Sequence, residues 1–392
     1  MTTPATPAAS PPLLSTALGT SRLLARPGDR RLWLLDAPAA TLWDLYASGL
    51  DAATLAGLLT ERFGLDPALA RTQVEQLLGE WRQAGLLDNP APRAPQAVDD
   101  PVSPAPCPTP LPEGAWRVRV ADRAIGLGAP DPGLRQRLHA WLPPPGPDDS
   151  AGLVDHCLSL HGDASAWHLT RDGQAVAAGQ TLDEALLAVL HALAGLGCRP
   201  AERLAVLHGA GLVTPDGRGL LLIAAGGSGK STLTTALDAS GYGLLSDDVV
   251  PADRDGGLLG LGLPLCLKAG SWPVLAGQRP DLDAAPEVVR YGQPVRFLAP
   301  RTRAPAHPVP AALILLIRYQ PGQPPRATPV GPEHALQGLL GAEAVIRDLT
   351  QAKLEALARW VTRVPAWRLT YPDLESGLAL IAAIRARPGA QP

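Results

Sequence analysis

The sequence predicts a mixed α/β chain in two parts: a large α/β domain, and before it a small domain of a hairpin and three helices. Two observations carry this. Residues 220–237, LLLIAAGGSGKSTLTTAL, run from an apolar strand through a glycine-rich turn into a helix. Residues 21–89 place two short apolar strands around Pro27-Gly28-Asp29, then three segments with apolar residues at helical spacing. A length of 392 residues allows two or three domains, and 46% apolar residues exclude a wholly disordered chain.

The elements follow in order. Residues 1–20 read as a disordered tail, small, polar and Pro-rich at the start. RLLARPGDRRLWLLD gives the hairpin, Ala39–Ala47 a first helix, and LDAATLAGLLTERFG a second with Asp51 as its cap. A third helix covers 67–84 and stops at Gly85. Residues 90–115 read as a linker whose Pro-rich part, 90–112, is an extended spacer reaching up to ~70 Å at ~3.1 Å per residue. The second domain spans 116–387. Its expected strands are 117–121, 203–208, 219–225, 243–250, 312–319 and 366–371, and its expected helices 182–196, 231–240, 350–363 and 374–386. A second Pro run occupies 143–147.

Composition narrows the partners. Net charge is −3 with a pI near 6.2, so there is no strong basic field, and nucleic acid is not an expected partner. The four cysteines, Cys107, Cys157, Cys198 and Cys266, form neither a CxxC pair nor a disulfide framework, which fits a reduced, cytoplasmic setting. MTTPATPAAS lacks the features of a signal peptide, and no apolar stretch is long enough to span a bilayer, so no membrane partner is expected. Only three lysines, Lys230, Lys268 and Lys353, stand among 34 basic residues. The Arg bias fits a GC-rich genome, yet each retained Lys raises the question of what Arg could not do there.

Lys230 has an answer. In Gly226-Gly227-Ser228-Gly229-Lys230-Ser231-Thr232 the glycines let backbone N–H groups turn inward around phosphate oxygens, and the following helix start adds its partial positive charge. Lys230 is then a compact charge for the β- and γ-phosphates, and the Ser231 hydroxyl is a ligand for Mg²⁺. These seven residues are the expected ATP-binding set. The strict motif has Gly where this chain has Ala224. Asp247 and Asp248 follow at the end of a neighbouring strand, where one carboxylate can hold Mg²⁺ and one can orient or deprotonate a hydroxyl. Since adjacent strand residues point to opposite faces, only one of the two is expected to face the nucleotide. His208, before Gly209 on the preceding strand, is a further catalytic candidate. Lys268, Arg290 and Arg296 are candidate phosphate or substrate contacts, and Lys353 reads as a surface cation.

The order His208-Gly209, glycine-rich loop, Asp247-Asp248 resembles the C-terminal catalytic domain of HPr kinase/phosphorylase, and most closely the HPr kinase-related proteins. LPLCLK (263–268), LLIRYQPG (315–322) and AWRLTYPDLESGLALI (366–381) share in it. The resemblance covers roughly 116–387. It implies a P-loop α/β kinase related to phosphoenolpyruvate carboxykinase, transferring the γ-phosphoryl group of ATP to a serine hydroxyl with Mg²⁺. It assigns Lys230 and Ser231 to nucleotide and metal, Asp247 or Asp248 to base or metal ligand, and His208 to the reacting phosphate. The family's second, GRPGRN-like signature is not intact here; the nearest stretch is Arg290–Arg296. Residues 21–89 resemble the PqqD family, small winged-helix-like domains that bind leader peptides of ribosomally made natural products; a generic winged helix is the other reading. The resemblance implies that a peptide adds as a strand to the hairpin and lies against the third helix. Together the two imply a serine kinase acting on a precursor peptide or small protein captured by the N-terminal domain. The alternative is a nucleotide-gated peptide carrier that transfers nothing. Related kinases are often oligomers, so a homo-oligomer is compatible with either. An ABC-type ATPase lacks support, as no LSGGQ-like segment occurs.

Overall fold

A computed structural model describes residues 13–28, 31–87, 108–143, 152–163, 165–303 and 305–387. The chain divides into two compact units, residues 1–102 with 347–362, and residues 103–346 with 363–392. The linker expected at 90–115 lies outside the described residues as far as 107, as does most of the Pro run at 143–147; the linker's end is not a spacer, because Thr109–Pro110 pair as a strand with Leu153–Val154.

The first unit begins with β1 (Leu14–Leu18), β2 (Ser21–Ala25) and β3 (Leu32–Leu35), an antiparallel sheet in sequence order. The tail expected over 1–20 is therefore too long. Leu14 and Leu18 are buried on β1, whose five residues pair with β2. The hairpin expectation missed this strand because Leu14–Leu18 becomes a strand only through its pairing with β2. Helices α1 (Ala37–Ala47), α2 (Ala52–Phe63) and α3 (Pro67–Gln83) follow. Each has an Asp cap, at Asp36, Asp51 and Asp66, whose carboxylate accepts from a first-turn amide. Their apolar faces close over Leu24, Val74 and Leu78, and Trp43 meets Trp81 edge-on at 5.1 Å. The helix α10 (Gln351–Arg363) falls almost wholly in this unit. At its start, the Gln351 side-chain amide accepts from Ser15 N (3.2 Å) and donates to Ser15 O (2.8 Å), occupying part of the β1 edge.

The second unit opens with a layer of its own. β4 (Thr109–Pro110) pairs with β7 (Leu153–Val154). A five-stranded sheet runs β10 (Gln174–Gly179), β9 (Trp167–Arg171), β8 (His156–Gly162), β6 (Arg123–Gly128), β5 (Trp116–Val120). Helices α4 (Pro132–Trp141) and α5 (Leu182–Cys198) cover it, α5 starting from a capping box between Thr181 and Glu184.

The main sheet holds β11 (Ala205–Val213), β12 (Gly219–Ile223), β13 (Gly243–Ser246), β14 (Val249–Ala252), β15 (Gly257–Leu258), β19 (Val309–Tyr319), β20 (Arg326–Val330) and β21 (Ala366–Tyr371). The fully buried β12 lies between antiparallel β11 and parallel β19, and β19 is parallel to β21. Helices α6 (Lys230–Ala239) and α11 (Leu374–Arg385) pack on it through Leu233, Leu237, Ile381 and Ile384. Beside it sits a small antiparallel sheet of β16 (Leu265–Lys268), β18 (Gln293–Leu298) and β17 (Glu287–Arg290), with the short helices α7 (Trp272–Leu275) and α8 (Asp281–Ala284) between β16 and β17 in the chain. Helix α9 (Pro332–Gly341) flanks β19. Parallel β12, β19 and β21 all end at one edge, so the loops after them gather there, the usual place for a ligand in an α/β sheet.

Candidate functional site

The loop 224–229 leaves β12 and enters α6 without a side-chain cap, so the first amides of α6 have no side-chain acceptor. Gly227 (φ +79°) and Gly229 (φ +81°) make the turn, in backbone conformations that glycine alone holds without strain. Ala224 does not have a left-handed backbone, so the Gly of the strict motif is not needed at that position. The Ser228 hydroxyl donates back to Ala225 O at 2.6 Å and closes the loop. Lys230 is buried, and its Nζ has no hydrogen-bond partner. Burial pulls the ammonium below the ordinary lysine range, opposed by Asp247 and Asp248. A buried unpaired cation is costly, and an anion placed in the loop would relieve that cost.

Asp247 and Asp248 do not sit on a continuous strand. The expected strand 243–250 breaks between β13 and β14, and Asp248 takes φ +94°, a strained backbone for a residue with a Cβ. Strand alternation does not apply across the break, so it does not decide which of the two carboxylates faces the loop. Asp247 accepts from the Ser231 hydroxyl (3.1 Å) and from Cys266 N (3.4 Å). Burial and the neighbouring Asp248 push its carboxyl up to about 6, although Ser231, Cys266 and Lys230 favour the ionised form. Asp248 lies 3.7 Å from His208 Nε2 and 3.4 Å from Arg290 Nη2. Arg290 also donates to Cys266 Sγ at 3.3 Å.

His208 is the sole part-exposed residue of β11, so an otherwise buried strand presents one polar side chain. Gly209 beside it is required by close approach: a Cβ there would lie 2.6 Å from Ile223 Cδ1 and 2.7 Å from Leu222 O. The structure thus brings Lys230, Ser231, Asp247, Asp248, His208 and Arg290 into one cluster. Lys268 ends β16 exposed, two residues from Cys266 and so on the same face of that strand. Arg296 does not join. It is held by Leu282 O (3.0 Å) and Glu287 (3.1 Å) and stacks on Trp272 at 4.1 Å, a structural role that its neighbours in RYGQPVR do not reveal. Sequence reasoning missed Cys266 as the amide donor to Asp247. It also missed Tyr319 and Tyr371, which pack against Gly229. Their position at the ends of two apolar strands, β19 beside the loop strand and β21 beyond it, was the signal.

The donor set fits a hard divalent cation: the Ser231 hydroxyl and the Asp247 carboxylate are neighbouring oxygens, the ligand type Mg²⁺ takes alongside phosphate oxygens. Among the described residues no group of three or more His, Cys, Asp or Glu is arranged to hold a metal by itself.

Residues 23–87 match the family described as Coenzyme PQQ synthesis protein D (PqqD). They form a PqqD domain. No curated protein matches the chain. Among solved structures it is similar to the Hpr(Ser) kinase/phosphatase from Coxiella burnetii, at 15% identity and a TM-score of 0.21, over 46% of this chain and 93% of that one. Among the described residues, no helix is long and apolar enough to cross a membrane. Cys157, Cys198 and Cys266 are free thiols.

Proposed function

We propose that this chain is an ATP-dependent serine kinase whose substrate is a peptide or small protein held by the PqqD domain. The observation that carries the reading is the buried, partnerless Lys230 ammonium under a glycine turn, with Ser231, Asp247 and Asp248 within one cluster. The loop amides and Lys230 hold the triphosphate. Mg²⁺ on Ser231 and Asp247 would neutralise phosphate charge when bound. Asp248, the more exposed carboxylate, orients the acceptor serine and takes its proton as the oxygen attacks the γ-phosphorus and the bond to ADP breaks. His208 steadies Asp248, and Arg290 faces the charge on the transferring group.

The peptide adds along β3, the sheet edge opposite β1, where Gln351 already occupies the Ser15 backbone. Capture raises the effective concentration of the acceptor to the mM range (~10⁻³ M), so the kinase site needs little affinity of its own.

The test uses the full chain, γ-labelled ATP and, as acceptor, the peptide encoded nearest the gene. Label on a peptide serine supports the kinase. Tight ATP binding without label supports a nucleotide-gated carrier instead. Lys230→Ala is expected to abolish transfer while the chain stays folded; unchanged transfer would remove the assignment.

A further inference from the structure

The likeness of Tyr319 to an ordinary exposed aromatic ends with its surroundings. It closes β19, the strand parallel to and directly beside the loop strand β12. A Cβ built on Gly229 would lie 3.4 Å from Tyr319 Cβ and 3.8 Å from its Cγ, so the side chain lies against the last glycine of the loop. Tyr371, at the end of the next parallel strand, lies behind it, with ring centroids 6.0 Å apart and planes inclined at 51°. The Tyr371 ring is buried and its hydroxyl is 3.5 Å from the same Gly229 position, so the two tyrosines brace the loop from one side. Tyr319 nonetheless remains 45% exposed. One part of it is pinned, and a large part of the ring faces outward at the carboxyl edge of the sheet.

Placement decides what that surface meets. Ser231, Asp247, Asp248 and His208 lie toward β11, β13 and β14, on one side of β12. Tyr319 and Tyr371 lie on the other side, on β19 and β21. A nucleoside triphosphate held with its γ-phosphate at the carboxylates must carry its base away from them, past Gly229, toward the β19 edge. The geometry points to Tyr319 as the stacking platform for the nucleobase, a specificity residue that separates nucleoside triphosphates from bare polyphosphate. This rests on the nucleotide-binding reading above. A pinned tyrosine suits the task, because a ring already ordered by Gly229 and Tyr371 gives up little conformational freedom on binding.

The experiment measures binding of ATP and of inorganic tripolyphosphate, each with Mg²⁺, to the full chain by calorimetry, in wild type, Tyr319→Trp, Tyr319→Leu and Tyr319→Ala. Removing the ring is expected to weaken ATP by about 5- to 150-fold, the span of base–aromatic stacking, and to leave tripolyphosphate unchanged. Tyr319→Trp is expected to keep ATP affinity. Tyr319→Leu retains an apolar contact for Gly229, so a loss of ATP with tripolyphosphate retained in that variant isolates the stacking role. Equal ATP affinity in all four proteins would overturn the inference while leaving the phosphate site standing. Equal weakening of both ligands would make Tyr319 a prop for the loop and also overturn it. Wild-type protein that binds neither ligand would overturn the nucleotide-binding reading and this inference with it.

Discussion

Replacing Asp247 by Asn separates what this carboxylate costs the fold from what it contributes to chemistry. Its carboxyl is raised from 3.8 to about 6, first by burial and then by Asp248. Between those values the folded state keeps a proton that the unfolded chain has lost, so stability falls as pH rises through that window. The contribution is fully present below about 3.8 and gone above about 6; over the whole span it amounts to about 3 kcal/mol at ~1.36 kcal/mol per pH unit. Low pH would bring in other carboxylates, so pH 5 and pH 8 are the useful points. Across that interval linkage gives about 1.4 kcal/mol. The wild type should therefore lose about 1.4 kcal/mol relative to Asp247→Asn between pH 5 and pH 8, read from urea unfolding of both proteins. Asn keeps one acceptor for Ser231 or Cys266 N and leaves the other donor unserved, a pH-independent cost of about 1 kcal/mol that cancels in the comparison. Phosphotransfer should be lost in the variant at both pH values. Parallel stability curves for the two proteins would refute the reasoning, because the cost would then not come from a buried carboxylate.

Four further outcomes follow from the same geometry. Gly209→Ala should cost about 1–3 kcal/mol in urea unfolding, since its methyl would meet the Leu222 carbonyl at 2.7 Å and backbone cannot step aside. Asp248→Gly should unfold at a higher urea concentration than Asp248→Ala by about 1 kcal/mol or more, reversing the usual order, because φ +94° penalises any Cβ. Arg296→Ala should lower stability by about 1 kcal/mol with phosphotransfer per folded molecule unchanged, having lost the Trp272 stack and two hydrogen bonds. Arg290→Ala should instead lower transfer by about 100-fold, with little change in the unfolding midpoint.

The glycine-rich turn, its Lys230 and Ser231, and the buried strand before them were readable because a few adjacent residues specify them. The Asp51 cap of the second helix was readable for the same reason: a carboxylate three residues ahead of a free amide is a local fact. Strand β1 was not, since Leu14–Leu18 becomes a strand only through pairing with β2. Nor was the assignment of α10, which as a segment reads like any amphipathic helix but sits mostly in the N-terminal unit.

The sequence by itself determined that a glycine-rich turn opens a helix at Lys230, that two carboxylates follow it, and that a PqqD-like segment precedes it. The tertiary structure alone decided which groups meet. It broke the strand at Asp247-Asp248 so that both carboxylates enter one cluster, brought Arg290 to Asp248 across 42 residues, turned Arg296 to Trp272, and set Tyr319 against Gly229. The reason is range. Turn and cap chemistry is written in neighbouring residues, whereas the partner of a charge or a ring is set by sheet order and register, which arise only when distant strands pair.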